Sequence, residues 1–119
     1  MALDASFLDY CIDQLDSLDV SYRKMFGGAG IYSDEVMFGL VSGDQLYFRV
    51  TPSTEARYLE AGMGPFVPFA DKPHYKMPYF EVPLSVLEQP SELEPWALEA
   101  LGVAKGLKRK PKKKPKTKG

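Results

Sequence analysis

The chain has 119 residues, 45% hydrophobic and 26% charged, which fits one globular domain and leaves little room for a second. One cysteine, Cys11, excludes an intramolecular disulfide and a cysteine-based zinc site, and one histidine, His74, excludes a histidine-rich metal centre. The net charge of −1 hides a division: residues 1–104 hold six basic and sixteen acidic side chains (−10), whereas residues 105–119 hold nine basic side chains and no acid (+9).

In chain order, the first predicted element is a helix over residues 4–19. Phe7, Leu8, Cys11, Leu15 and Leu18 recur at helical spacing, and Asp4 is placed to cap its start. Asp9, Asp13 and Asp16 fall on another face of that helix, and the simplest reading is a solvated surface. Residues 21–50 read as strands. Tyr22–Phe26 is rich in large side chains and ends at Gly27-Gly28. Gly30-Ile31-Tyr32 follows, then a turn at Ser33-Asp34-Glu35 and the apolar run Val36–Val41. Ser42-Gly43-Asp44 signals a tight turn, after which Leu46, Phe48 and Val50 alternate with Tyr47 and Arg49. Connections this short require antiparallel pairing.

Thr51-Pro52 predicts the start of a second helix through Ala56 and Leu59 to Gly62. Phe66–Phe69 and Tyr79–Val82 are short strand candidates, with a loop at Asp71-Lys72-Pro73-His74 between them. Pro83 opens a helical turn over Leu84–Glu88. Ser91 or Glu94 is placed to cap a last helix with Pro95 in its first turn and Gly102 as its stop. The predicted order is α-β-β-β-α-β-β-α. It implies a two-layer α+β domain over 1–104, with an antiparallel five-stranded sheet and helices on a face. Residues 105–119 read as a disordered basic tail, because Lys- and Pro-rich sequence cannot bury enough surface to offset its ordering entropy.

The segment Arg23-Lys24-Met25-Phe26-Gly27-Gly28-Ala29-Gly30-Ile31-Tyr32 resembles the signature of the TfoX/Sxy family's N-terminal domain. The hairpin around Val36–Leu40 and Asp44–Arg49, the stretches Gly64–Phe66 and Met77–Pro83, and Trp96 extend the resemblance over residues 7–101. Arg23, Met25, Phe26, Gly27, Gly28, Gly30 and Tyr32 carry its signature. The resemblance implies the fold α-β(3)-α-β(2)-α. It also implies a non-enzymatic interaction domain of competence-type transcription regulators, acting through a protein partner. It offers no catalytic residues and no cofactor. The family's regulators carry a further C-terminal helical domain; here a lysine-rich tail stands in that place.

The remaining candidates are weighed on chemistry. The glycine cluster does not match a phosphate cradle, since a strand candidate follows it rather than a helix; a bulge or a close backbone approach is the expected use. An alternative reading is a small-ligand or enzymatic pocket near that turn. Cys11 lies on an apolar helix face, where an inert buried thiol is expected. Tyr22, Phe26, Tyr32, Phe38, Tyr47 and Phe48 are expected to pack in the core rather than to stack nucleobases, and Arg23 and Arg49 to pair with carboxylates. In the tail, Lys108, Arg109, Lys110, Lys112, Lys113, Lys114 and Lys116 are the candidates for non-specific attachment to DNA or RNA. The same tail is long enough to reach back to the acidic helix face at Asp9, Asp13 and Asp16. No run approaches the roughly 18 apolar residues of a membrane span, and no secretory signal opens the chain, so a cytoplasmic location is expected.

Overall fold

Asp4 opens the first helix: its Oδ1 accepts the Phe7 backbone N–H at 3.1 Å. The computed structural model describes residues 4–25, 28–67 and 77–109. Helix α1 spans Ala5–Gln14 and is followed by a 3-10 turn at Asp16–Leu18, shorter than the single helix predicted to residue 19. The chain then turns at Asp19, which has φ 55°. Ser33 Oγ fastens this corner by donating to the Leu18 carbonyl at 3.1 Å.

The strands are β1 (Ser21–Met25), β2 (Gly28–Ser33), β3 (Val36–Ser42), β4 (Gln45–Arg49), β5 (Pro65–Phe66) and β6 (Met77–Glu81). They form one antiparallel sheet in the order β1-β2-β3-β4-β6-β5. The sheet therefore has six strands, not the five expected. Ser21–Met25 and Gly28–Ser33 pair with each other as separate antiparallel strands, from Ser21 opposite Tyr32 to Met25 opposite Gly28. Of the strand expected at Phe66–Phe69, β5 covers its first residue; residues 68–76, including the expected loop at 71–74, lie outside the described residues.

Helix α2 (Glu55–Glu60) starts later than Thr51-Pro52 predicts. Thr51 and Thr54 instead close a turn, with the Thr51 N–H donating to Thr54 Oγ1 at 2.8 Å and the Thr54 N–H to the Thr51 carbonyl at 3.0 Å. The first is a side-chain bond and the second a backbone turn bond, and together they hold Thr51–Thr54 as a turn ahead of the helix. Helix α3 covers Leu84–Leu87. Helix α4 runs Pro90–Arg109, so it starts one residue before Ser91 and four before Glu94, the two expected caps, and passes through Pro95 and Gly102. Pro95 removes one hydrogen bond, to the carbonyl of exposed Ser91, which water can satisfy. Gly102 faces open space and costs helix propensity of about 1 kcal/mol, too little to stop a helix anchored by packing on both sides. The backbone helix thus includes the first residues of the expected tail; residues 110–119 lie outside the described residues.

Helix α4 packs across β3 and β4. Leu8 and Cys11 of α1 and Leu15 just after it join Leu93, Ala97 and Ala100 of α4 and the inward side chains of the sheet in one core. Gln14 Nε2 donates to the Leu87 carbonyl at 2.9 Å and ties α1 to α3. One residue of β3, Phe38, falls between the pairs Ile31–Gly39 and Tyr32–Met37, so that Phe38 and Gly39 together face Ile31 in a β-bulge. The bulge lets Val36, Phe38 and Val41 all reach the helix-covered core, while Met37 and Leu40 lie on the opposite face.

Candidate functional site

The opposite face of the sheet differs in kind from the helix-covered one. Leu40, Tyr47 and Tyr79 are its buried residues, with Met37, Phe66 and Met77 packed around them. The Tyr47 and Phe66 rings meet edge-on at 4.9 Å. Tyr47 Oη donates to Gln45 Oε1 at 3.0 Å, and Gln45 Nε2 donates to Glu81 Oε2 at 3.0 Å.

Two arginines cover aromatic rings here. The Arg23 guanidinium lies 5.1 Å from the Tyr32 ring centre, and that of Arg49 lies 5.5 Å from the Tyr79 ring centre. Cation–π contact fits both separations. Among the described residues Arg23 and Arg49 form no carboxylate pair; the ion pairs there are Arg57–Glu99 at 3.6 Å and Lys105–Asp34 at 2.7 Å. Arg49 Nε is buried without a hydrogen-bond partner. Burial raises the Tyr79 phenol pKa, and the neighbouring Tyr32 phenol adds to the rise, while Arg49 opposes it. Tyr47 is raised as well, by burial first and then by Glu81 and Asp44.

The signature residues surround this face. Gly28 sits so close to β3 that a Cβ there would overlap the Val41 carbonyl oxygen. Above Gly30 the space is already taken: a Cβ would lie 2.9 Å from Met37 Sδ, 3.0 Å from Met25 Cε and 3.1 Å from Tyr32 Cε1. Close approach within a strand, not a cradle for phosphate, explains both glycines. Phe26 and Gly27 lie outside the described residues.

The aromatic set divides. Phe38 and Phe48 pack together in the helix-covered core with ring centres 5.7 Å apart, as expected. Tyr32 and Tyr47 belong to the opposite face, and Tyr22 is exposed. Sequence reasoning missed Arg49 and Tyr79 as partners. Both lie on strands that pair directly, Arg49 opposite Tyr79, and the signal for this was the alternation of Arg49 with Phe48 and Val50.

Cys11 is buried, and desolvation pushes its thiol up to about 12. Asp9, Asp13 and Asp16 are exposed, and no group of three metal-ligating side chains gathers among the described residues. Of the basic segment, Lys105 Nζ reaches Asp34 in the β2–β3 turn rather than α1. The backbones of Lys108 and Arg109 continue α4; Lys110, Lys112, Lys113, Lys114 and Lys116, like His74, lie outside the described residues.

The family model described as TfoX N-terminal domain matches residues 13–104, nearly the whole folded body. The chain belongs to the TfoX N-terminal domain family. The match ends one residue before the basic segment begins at Lys105. This TfoX N-terminal domain is also similar to the DNA transformation protein TfoX1 of Aliivibrio fischeri, with 32% identity over 79 residues. That alignment covers 66% of this chain and 38% of the relative, so the chain spans about two-fifths of the length of the curated relative it matches. No described helix is long and apolar enough to cross a membrane.

Proposed function

We propose that this TfoX N-terminal domain is a non-enzymatic interaction module in a transformation- or competence-type regulatory system of the cytoplasm. The folded body engages a protein partner, and the basic segment beginning at Lys105 attaches to DNA or RNA without sequence preference. The observation that carries the reading is the charge division: −10 over residues 1–104 and +9 over 105–119, with the family match confined to the acidic part. An acidic body repels phosphate, so nucleic-acid attachment falls to the basic segment. Helix α4 delivers that segment from one end of the domain, next to the β2–β3 turn that Lys105 contacts. The similarity to a DNA transformation protein supports the setting.

Binding of the full chain to duplex DNA, titrated in salt, tests this. If about six basic residues meet phosphates, log K against log salt should fall with a slope near −5. Replacing Lys110, Lys112, Lys113, Lys114 and Lys116 by glutamine leaves the described fold untouched and should flatten the slope to about −1 or abolish binding. An unchanged slope would overturn the role given to the segment. Ending the chain at Gly102 is a poorer test, because Ala104 is a buried part of the core.

A further inference from the structure

The two edges of the sheet are finished differently. Among the described residues β5 ends one edge with two residues, one of them a proline, and a register shift falls between Pro65 and Phe66. Short length, proline and irregular pairing are the means by which an edge strand refuses a further neighbour. β1 ends the other edge and has none of them. All five of its residues pair with β2 in unbroken register, and among the described residues no strand lies on its far side. Its side chains are exposed from Ser21 to Lys24, and Tyr22 is 43% exposed. The Arg23 guanidinium leans inward over the Tyr32 ring of β2.

An open row of N–H and C=O groups is a template for an added strand, and the charges along β1 decide which strand. Arg23 and Lys24 lie in its second half, and Asp19 lies just before its start. A two-fold axis across the edge turns the basic end of one copy towards the acidic end of the other. Each whole chain carries a net charge of only −1, so little overall repulsion opposes the approach of two copies. Alternate residues send their N–H and C=O to the same edge, so two identical antiparallel strands meet about a residue and never between two. An axis at Arg23 or Lys24 sets like charges directly opposite, which is destabilising. An axis at Ser21 or Met25 leaves strand-to-strand contact to that end residue alone. Tyr22 remains.

We propose that β1 is a self-association edge: two copies of this chain pair β1 with β1, antiparallel, about a two-fold axis at Tyr22, and so join their sheets. Tyr22 then faces Tyr22 of the second copy, Arg23 faces Ser21, and Lys24 faces Val20 beside Asp19. The tyrosine pair supplies aromatic contact across the axis, and the lysine and aspartate close each end. Strand contact covers Ser21–Arg23 of each copy, so the dimer is weak, with a dissociation constant on the order of 0.1 mM. The edge lies outside the basic segment and goes beyond the role proposed for it. Its consequence there is that two basic segments reach one nucleic acid together.

Sedimentation equilibrium of the full chain from about 10 µM to about 1 mM tests the pairing. The mass should rise with concentration towards that of two chains, and the outward amides of Ser21–Arg23 should gain protection from hydrogen exchange as the dimer fills. Tyr22→Lys and Tyr22→Glu, at an exposed side chain, each set like charges on the axis and should weaken association at least about fivefold. An equal mixture of the two variants, lysine facing glutamate, should recover it. Lys24→Asp, turned towards Asp19, should weaken it about threefold. Glutamine at Lys110, Lys112, Lys113, Lys114 and Lys116 should leave it in place; its loss there would assign association to basic segments on acidic bodies and overturn the β1 pairing. A chain that stays monomeric to about 1 mM overturns it as well and leaves the edge to an extended segment of another protein. So does association that survives both Tyr22 variants, or that their mixture does not recover.

Discussion

The two faces of the sheet are built on opposite principles. The helix-covered face is filled mainly by aliphatic and phenylalanine side chains, with Tyr58 and Cys11 among them, whose main requirement is volume, and helix α4 packs across β3 and β4. The other face is smaller, built from tyrosines, methionines and two arginines, and its contacts are directional: edge-on rings, guanidinium over ring, a chain of hydrogen bonds from Tyr47 to Glu81. The contrast teaches that volume-filling and directional contacts are separated here by the thickness of one sheet. Residues adjacent in sequence, such as Phe48 and Arg49, serve different ends because a strand sends them to different sides.

The sharpest way to probe this division is to delete volume on the helix side. Phe48→Ala should cost about 3–5 kcal/mol, since the ring is fully buried and packed on Phe38. Urea unfolding with an unchanged slope would register it as a shift in midpoint. Next in size is Gly39→Ala at the bulge, where a Cβ would sit 3.3 Å from both Ile31 Cβ and Phe48 Cδ1. Overpacking of that kind should cost about 1–3 kcal/mol, read by the same unfolding curve.

Alkaline pH acts on both faces together. Cys11, on the helix side, is raised from 9.0 to about 12, and Tyr47 and Tyr79, on the other side, are raised above 10.0. Each group keeps its proton longer when folded. The stability tied to it is therefore complete below the unfolded pKa and is lost as pH rises towards the folded one. The urea midpoint should hold up to about pH 8 and fall progressively from pH 9 upward. Cys11 in the folded protein should likewise resist a thiol reagent at neutral pH and react on unfolding, because the thiol is buried and almost wholly protonated.

Smaller effects sharpen the comparison from the other direction. Gly102→Ala, on the outer surface of α4, should stabilise by about 0.5–1 kcal/mol, raising the thermal midpoint without touching either face. Arg49→Met should change stability by less than about 1 kcal/mol, since a hydrophobic side chain of similar length replaces a half-buried guanidinium whose Nε has no partner among the described residues. A loss as large as that of Phe48→Ala would show that the arginine face holds the fold together, and the division drawn above would fail.

Most of the architecture was legible because the punctuation of the chain is strong. Asp4 caps where its side chain predicts, the short turns force antiparallel neighbours, and Leu8, Cys11 and Leu15 mark the buried stripe of α1. The extra strand escaped because Tyr22–Phe26 and Gly30–Tyr32 are each too short to be counted with assurance from propensity. Helix α4 was read too short because Gly102 and Pro95 are breakers by local rules, and tertiary packing outweighs a local cost of that size. The arginine face was illegible for a different reason. Arg49 lies directly opposite Tyr79, and Arg23, opposite Gly30, meets Tyr32 two residues along the same strand; both contacts depend on register, which a single sequence states weakly. The opposing preference, that arginines in an acidic body find carboxylates, rests on average charge and ignores which side of a sheet each group occupies.

The bulge at Phe38 and Gly39 carries a consequence of its own. It acts as a phase correction between the two ends of β3. Val36 and Val41 are five positions apart, an odd number, yet both point to the helices. Removing Phe38 alone would bring the pairs Ile31–Gly39 and Tyr32–Met37 into direct succession and leave Val36 and Val41 four positions apart, so every remaining side chain would keep its side. The strand thus holds one residue in reserve. A one-residue deletion at the bulge is a straightening rather than an inversion, and its cost is the volume of the Phe38 ring.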